Sequence, residues 1–313
     1  MSVYNAEKFL ALAIESILHQ TYTGFEFIII EDCSTDNTGK ILDQYAKNDL
    51  RIKVIKKERN KGMQGFIRNL NLGLSVAKGK YIARMDADDI AEPDRLHKQF
   101  DFLEKNPQYS LVGTQLTLVN ETGHVIGEKL AHIENDQIYR NMVKSIQLFH
   151  PSIMFRNDPQ IYYREKMLYC EDYDLYLRLI SEKKKLANLP DKLLKYRILD
   201  QSISRSKNML VRKMFLEKCF QFHSERQAMG NDSYEEFEVN DFLNVLEPEV
   251  KTNVHTLKLG LSVALKYNLR NDYHTLLNKL LKNKEKVELK YKLFGRLPQN
   301  CFKYYSFLKL RLS

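Results

Sequence analysis

The first half of the chain alternates between helical and extended patterns of apolar positions. Apolar residues recur at helical spacing over 9–18, and residues 25–30 form an almost continuous apolar run, typical of a buried strand. A short strand pattern follows at 52–55, a helical pattern at 62–76 and an apolar strand at 80–85. This order predicts an α/β unit with a mainly parallel sheet, helices on both faces, and a binding crevice at the carboxyl ends of the strands.

Polar residues mark where the first helices begin. Asn5 can cap the first helix, and residues 32–36 predict a turn and cap that open a helix reaching about Lys47. Asp32 and the acidic residues 86–89 each follow a predicted strand. Both sets are therefore expected at the binding edge of the sheet.

The second part of the chain is less regular. Residues 110–119 alternate in part and precede a turn signal at 120–123, which predicts a hairpin. Another short apolar strand is predicted at 152–155, and a helix with acids in its first turn begins at Glu171. From about Lys207 the pattern is helical to the end.

Length and composition narrow the class of protein. With 313 residues and 43% hydrophobic content, the chain can bury one full core and a smaller second unit. We place the boundary near 205, between a catalytic domain over 1–205 and a basic helical extension over 206–313. The four cysteines are far apart, and no apolar run approaches the roughly 18 residues of a membrane span. These features predict a cytoplasmic protein without a disulfide framework or zinc site.

The net charge of +9 belongs to the end of the chain. From Thr256 onward, 13 Lys and Arg residues stand against three acids, a local +10 that leaves about −1 for residues 1–255. A nearly neutral catalytic domain argues against a nucleic-acid groove. The segments 290–296 and 301–311 mix cations with aromatics and leucines. That mixture predicts either peripheral contact with the inner face of an anionic membrane or a helical bundle packed on the catalytic domain.

Three carboxylates are crowded at residues 86–89, directly after a predicted strand. Asp86, Asp88 and Asp89 would repel one another there unless a cation sat between them, and a divalent metal carrying a diphosphate is the usual occupant. The alternative is a solvated turn with Asp89 or Asp94 capping a helix. The crowding favours a nucleotide-sugar site.

Several segments together resemble family-2 glycosyltransferases of the GT-A fold, of the type that builds bacterial surface polysaccharides. The resemblance covers about residues 1–205 and rests on the order and spacing of the segments, because each alone has a high chance rate. It implies an inverting enzyme that moves a sugar from a nucleotide diphosphate, with UDP expected, to a hydroxyl of a glycan or lipid-linked acceptor. The matching segments are residues 3–7, 13–22, 30–38, 60–62, 68–69, 77–82, 86–89, 150–152 and 171–173.

Asp88 is our first choice as metal ligand, since a hard cation such as Mn²⁺ or Mg²⁺ needs oxygen ligands while phosphates complete its shell. By resemblance, Asp86 would touch the ribose or share the metal, and Asp89 would help to hold the donor.

The resemblance also implies a nucleotide site. Asp32 matches a residue that accepts a hydrogen bond from uracil, although a helix cap is equally compatible with its position. Tyr4 would flank the base. Arg68 resembles an arginine beside the diphosphate, whereas an arginine on an amphipathic helix is more often a surface residue.

A general base is required because the acceptor hydroxyl loses a proton as it attacks the sugar. Asp172 is our choice. By motif alone, Glu171 or Asp174 can fill the role, and any of the three can simply complement the positive end of the helix. Direct displacement implies inversion at the anomeric carbon.

Two positions depart from the resemblance. Many relatives have several more β-branched residues before Val3, so the first strand is almost absent here. We expect the reading frame to extend upstream by about five to ten apolar residues, because a sheet without a central strand leaves buried backbone groups unpaired. Relatives also often carry a histidine near Leu199, where this chain has none. His150 is not an obvious substitute.

Two other functions stay open at this point. A nucleotidyltransferase can use the same metal and nucleotide, although the acids at Glu171 and Asp172 argue against it. An inactive scaffold or nucleic-acid-binding protein can act through the basic tail. The carboxylates at every matched position argue against an inactive protein. We expect no nucleic-acid partner, because residues 1–255 are nearly neutral.

Overall fold

The structure is a computed structural model that describes residues 1–199, 209–282 and 288–304. Two parts of the chain discussed above lie outside the described residues. They are residues 200–204, which follow Leu199, and residues 305–311 of the basic segment 301–311. The chain divides into two units, Met1–Arg205 and Ser206–Ser313. None of the helices in the described part is long and apolar enough to cross a membrane.

The first unit alternates strands and helices in its first half, as the pattern predicts. A turn of 3₁₀ helix at His150–Ser152 precedes the strand Met154–Arg156. In chain order the elements are β1 (Ser2–Val3), α1 (Leu10–Leu18), β2 (Phe27–Glu31), α2 (Thr38–Asn48), β3 (Ile52–Lys56), α3 (Gly62–Val76), β4 (Tyr81–Ala83), β5 (Ile90–Ala91), α4 (Arg95–Lys105), β6 (Tyr109–Val119), β7 (Val125–Lys129), α5 (Asn135–Met142), β8 (Met154–Arg156), α6 (Glu171–Ser181) and β9 (Lys185–Arg197).

The first sheet is parallel, with the order β1-β2-β3. Its central strand β2 carries the apolar run. Ile29 joins a core cluster with Leu10 and Ile14 of α1, whereas Ile30 on the opposite face lies against Gly73 of α3. The strand is apolar throughout because it is covered from both sides.

The second sheet is mixed and has the order β4-β8-β6-β9-β5, with β7 paired to β6. β6 and β9 run parallel, and the other pairs in this sheet are antiparallel. The predicted hairpin joins β6 to β7, where Asn120 Oδ1 accepts hydrogen bonds from the backbone N–H groups of Thr122 and His124. β9 was not predicted from the sequence.

The helix starts differ from the expected caps. α1 begins at Leu10, and Asn5 instead has a φ of 47° and accepts a hydrogen bond from Thr35 N–H through Oδ1. The prediction that Asn5 caps the first helix is therefore wrong. At α2, the Oδ1 atom of Asp36 accepts from Thr38 N–H at 2.9 Å, which leaves Asp32 available for other contacts.

A cavity of about 620 Å³ is lined by residues of both sheets, including Ile28 of β2 and Ile82 of β4. β1 pairs with β2 through Ser2 and Val3, and the amino group of Met1 donates to the Ile28 carbonyl at 2.9 Å. The two sheets thus meet across the cavity.

The described part of the second unit is helical, as predicted. Phe215, Phe237 and Phe242 pack edge to face in its core. Lys279 is buried, and its ammonium group donates hydrogen bonds to the backbone carbonyls of Val245 and Glu247, so its N–H donors have partners inside the unit. Its helices are α7 (Met209–Met229), α8 (Val239–Leu243), α9 (Val254–Lys266), α10 (Arg270–Lys282) and α11 (Leu289–Arg296).

Candidate active site

Three aspartates meet where the chain passes from β4 into β5. Asp86, Asp88 and Asp89 each place one carboxylate oxygen within 4.8 Å of the others. Burial, together with the charge of Asp86, raises the pKa of Asp88 to about 6. Burial, together with the charges of Asp86 and Asp88, raises the pKa of Asp89 well above its usual value. Such crowding is relieved by a cation.

Asp89, predicted to help hold the donor, lies inside the unit and is 1% exposed. Its Oδ1 atom accepts a hydrogen bond from Arg197 N–H at 2.9 Å. Its Oδ2 atom is buried and has no hydrogen-bond partner among the described residues. Carboxylate oxygens are the ligands that Mg²⁺ and Mn²⁺ prefer. The trio therefore has a donor set that suits a divalent cation.

Two arginines that the sequence pattern did not single out hold the trio in place. Arg84 Nη1 donates to Asp86 Oδ2 at 2.6 Å. Arg197 Nε donates to the backbone carbonyl of Asp88 at 2.9 Å. An arginine inside an otherwise apolar strand was the available signal for Arg84, because a buried cation requires an acidic partner nearby.

The first turn of α6 carries three acids in different surroundings. Asp174 is completely buried and pairs with Arg164 at 2.5 Å and with Arg178 at 3.2 Å. Its charge is neutralised inside the fold, which leaves Glu171 and Asp172 as candidates for the base. The Glu171 side chain is 9% exposed, whereas Asp172 is partly exposed to solvent.

Glu171 and Asp172 differ in proton affinity. Burial, followed by the charge of Asp172, raises the pKa of Glu171 to about 8. Burial also raises the pKa of Asp172, but a hydrogen bond from Tyr173 N–H and the charge of Arg84 oppose that rise. A pKa of about 8 favours the protonated form of Glu171 near neutral pH, whereas the interactions that oppose the rise at Asp172 favour its charged form. Such a division is typical of an acid and base pair.

The pair on α6 lies near the aspartate trio. Burial is the main cause of the raised pKa values of Glu171 and Asp172, and the negative charge of Asp86 adds to both. His150 Nε2 lies 2.8 Å from the Tyr163 hydroxyl, and burial lowers the pKa of His150 well below its usual value. His150 is therefore neutral. The candidate base and the candidate metal ligand Asp86 are therefore close enough to interact electrostatically.

Two of the predicted nucleotide residues, Asp32 and Tyr4, lie at the carboxyl end of the parallel sheet, whereas Arg68 lies on α3. Asp32 follows β2, is 4% exposed, and accepts a hydrogen bond from Asn60 Nδ2 through Oδ2 at 3.0 Å. Burial raises the pKa of Asp32. Tyr4 follows the neighbouring strand β1 and is 49% exposed. Arg68 pairs with Glu165 at 2.7 Å, and both side chains are partly exposed. The sequence motifs did not predict this role for Asn60.

An α/β unit whose aspartate cluster suits a divalent cation, with a second pair of acids on a helix, is consistent with a GT-A glycosyltransferase. A family model described as glycosyl transferase family 2 matches residues 1–170. The chain belongs to this family, which confirms both the resemblance and the predicted fold class.

Known proteins support the assignment. Over 214 residues the chain is 38% identical to the uncharacterized glycosyltransferase MJ1057 of Methanocaldococcus jannaschii, covering 66% of this chain and 73% of the relative. Over 216 residues it is 36% identical to the O-antigen biosynthesis glycosyltransferase WbnJ of Escherichia coli, covering 66% and 81%. S. aureus TarS 1–349 in complex with UDP has a similar structure, with a TM-score of 0.55 and 19% identity over 90% of this chain and 87% of that chain. At this identity the structural likeness shows the fold alone.

Proposed function

We propose that the chain is an inverting glycosyltransferase that moves a sugar from UDP to a hydroxyl group of a glycan or lipid-linked acceptor. The observation that carries the proposal is that three clustered aspartates, with a donor set that suits a cation, interact electrostatically with two further acids, Glu171 and Asp172. Sugar transfer from a diphosphate needs a countercharge for the leaving group and a base for the incoming hydroxyl. The name of the O-antigen relative supports a role in surface polysaccharide or glycolipid synthesis.

Asp88 would be the principal ligand of Mn²⁺ or Mg²⁺. Asp86 would share the cation or touch the ribose. Asp89 would help to hold the donor beside the cation, because its buried Oδ2 atom has no hydrogen-bond partner among the described residues. When bound, the ion neutralises charge on the leaving diphosphate. Three carboxylates leave room in its shell for phosphate oxygens.

Asp172 would accept the proton of the acceptor hydroxyl. Glu171 would be protonated at neutral pH, so it would place no second negative charge beside Asp172. Because the hydroxyl attacks the anomeric carbon directly, the sugar's configuration would be inverted.

Asp32 would accept a hydrogen bond from uracil. The hydrogen bond from Asn60 Nδ2 would fix the orientation of the Asp32 carboxylate. Tyr4 would lie against the base, because it follows β1, the neighbour of the strand that Asp32 follows, and its ring is exposed. Arg68 would reach the diphosphate by leaving Glu165. The UDP complex of TarS supports the choice of nucleotide.

The test is whether metal and nucleotide bind together. Asp88→Asn removes a charge from the trio and is expected to abolish the mutual strengthening of Mn²⁺ and UDP binding measured by calorimetry. Asp94→Asn is the control, because Asp94 is exposed and accepts a hydrogen bond from Thr21 instead. Equal UDP affinity of the unaltered chain in metal and in chelator would contradict the proposal.

The reaction products distinguish sugar transfer from the two alternative functions, nucleotidyl transfer and an inactive scaffold. Free UDP released during turnover indicates sugar transfer, whereas nucleotidyl transfer leaves the nucleotide on the product. Salt-dependent binding to oligonucleotides without turnover would indicate the scaffold.

Helix α11 supports contact with a membrane surface. One face packs on α10, where a Cβ on Gly295 would lie 2.9 Å from Leu277. On the other side Leu289 and Leu293, one turn apart, are 69% and 53% exposed. Apolar groups flanked by cations suit the interface of an anionic bilayer, so we place the protein on the inner face of the cell membrane. The neighbouring cations are Lys290, Lys292 and Arg296.

Replacing both Leu289 and Leu293 with serine is expected to lower sedimentation with phosphatidylglycerol vesicles, because the face loses its apolar part. UDP binding should not change, since the donor residues belong to the first unit. Met229→Ser is the control, because Met229 is 68% exposed in the same unit but lies outside α11. Unchanged sedimentation of the double variant would contradict this surface.

A further inference from the structure

Arg84 is a buried cation among the acids of the proposed site. Its side chain is 9% exposed, and Nη1 donates to Asp86 Oδ2 at 2.6 Å. Its charge also reaches α6, where it opposes the effect of burial on the pKa values of Glu171 and Asp172. Arg84 therefore contacts the aspartate trio directly and interacts electrostatically with the acids of α6.

The backbone of Arg84 is fixed on both sides of the peptide. Its N–H donates to the Ile153 carbonyl at 3.0 Å, and its carbonyl accepts from Arg95 Nη2 at 2.6 Å. Arg95 is itself fully buried, with Nε bonded to Gln99 Oε1 at 3.1 Å. The guanidinium of Arg84 is thus presented to Asp86 from a rigid support.

Structural pairing alone does not explain this side chain. The Nε atom of Arg84 is buried and has no hydrogen-bond partner among the described residues. A buried arginine that served only packing would be expected to pair its N–H groups, because an unpaired buried donor costs free energy. The side chain of Arg84 thus adopts a geometry in which Nη1 donates to Asp86 while Nε has no partner among the described residues.

On the basis of the proposed function, we infer that Arg84 is a positioning residue that holds the Asp86 carboxylate in the direction required by the cation and the diphosphate. Carboxylates that ligate metals are held by hydrogen bonds from outside the metal shell, and loss of such a partner weakens metal binding about 10–100-fold. A planar guanidinium sets a direction, whereas an ammonium acts as a point charge.

The test measures Mn²⁺ binding in the presence of UDP by electron paramagnetic resonance, with circular dichroism to confirm folding. Arg84→Met, similar in length but neutral, is expected to weaken Mn²⁺ binding about 10–100-fold. Arg84→Lys keeps the charge without the planar fork, so its affinity should fall between that of Arg84→Met and that of the unaltered chain.

Arg156→Lys is the matched control. Arg156 is partly buried and donates to the backbone carbonyls of Tyr109 and Leu103, so its replacement should leave Mn²⁺ affinity unchanged. Folded Arg84 variants that bind Mn²⁺ as tightly as the unaltered chain would overturn the inference. If Arg84→Met does not fold, Arg84→Lys decides alone, and an unchanged affinity overturns it. An unaltered chain that shows no UDP-dependent Mn²⁺ binding contradicts the proposed function instead.

Discussion

Asp172→Asn is expected to slow sugar transfer roughly 10²–10⁴-fold, the range for loss of a general base, while metal-dependent UDP binding stays nearly intact. The substitution preserves the size of the side chain and its bond from Tyr173 N–H, but an amide cannot accept the proton of the acceptor hydroxyl. Binding and chemistry should therefore separate. Calorimetry with UDP and Mn²⁺ measures the first, and release of UDP in the presence of acceptor measures the second.

Glu171→Gln is the matched control for this experiment. Glutamine has the shape of protonated glutamic acid, the form that a pKa of about 8 predicts at neutral pH. The variant should therefore keep most of the transfer rate. If Glu171→Gln loses turnover and Asp172→Asn keeps it, Glu171 is the base and our assignment is wrong.

Asp174→Asn is expected to destabilise the first unit by about 3–5 kcal/mol, the usual cost of removing one partner from a buried ion pair. Asp174 lies between Arg164 and Arg178, and all three side chains are at least nine-tenths buried. An amide leaves two positive charges without their shared carboxylate. Since whole domains are stable by about 5–15 kcal/mol, urea unfolding should begin at a much lower concentration.

Asp136→Asn is the control, because Asp136 is an exposed acid in the first turn of another helix, α5. It should leave the urea midpoint unchanged. A midpoint of Asp174→Asn equal to that of the unaltered chain would show that the arginines find other partners, and that Asp174 was not needed to neutralise them.

Local pattern was enough for much of the first unit. The run in β2, the helical spacing in α1 and the turn signal before β7 each depend on residues close in sequence. β9 is different. Its 13 residues include Pro190 and several lysines, and the strand forms because it pairs with β6, far away in the chain. A strand is stabilised by its cross-strand neighbours, which a sequence window does not contain.

The sequence by itself determined the α/β order, the acid cluster after β4 and the acids at the start of α6, because each follows from spacing within a few residues. Only the tertiary structure decided how those acids differ. It paired Asp174 with Arg164, joined Asp89 to the backbone of Arg197 across 108 positions, and buried Glu171 while leaving Asp172 partly exposed. The chemistry of a carboxylate depends on burial and on partners brought close by folding, so the three acids at the start of α6, Glu171, Asp172 and Asp174, have three different surroundings.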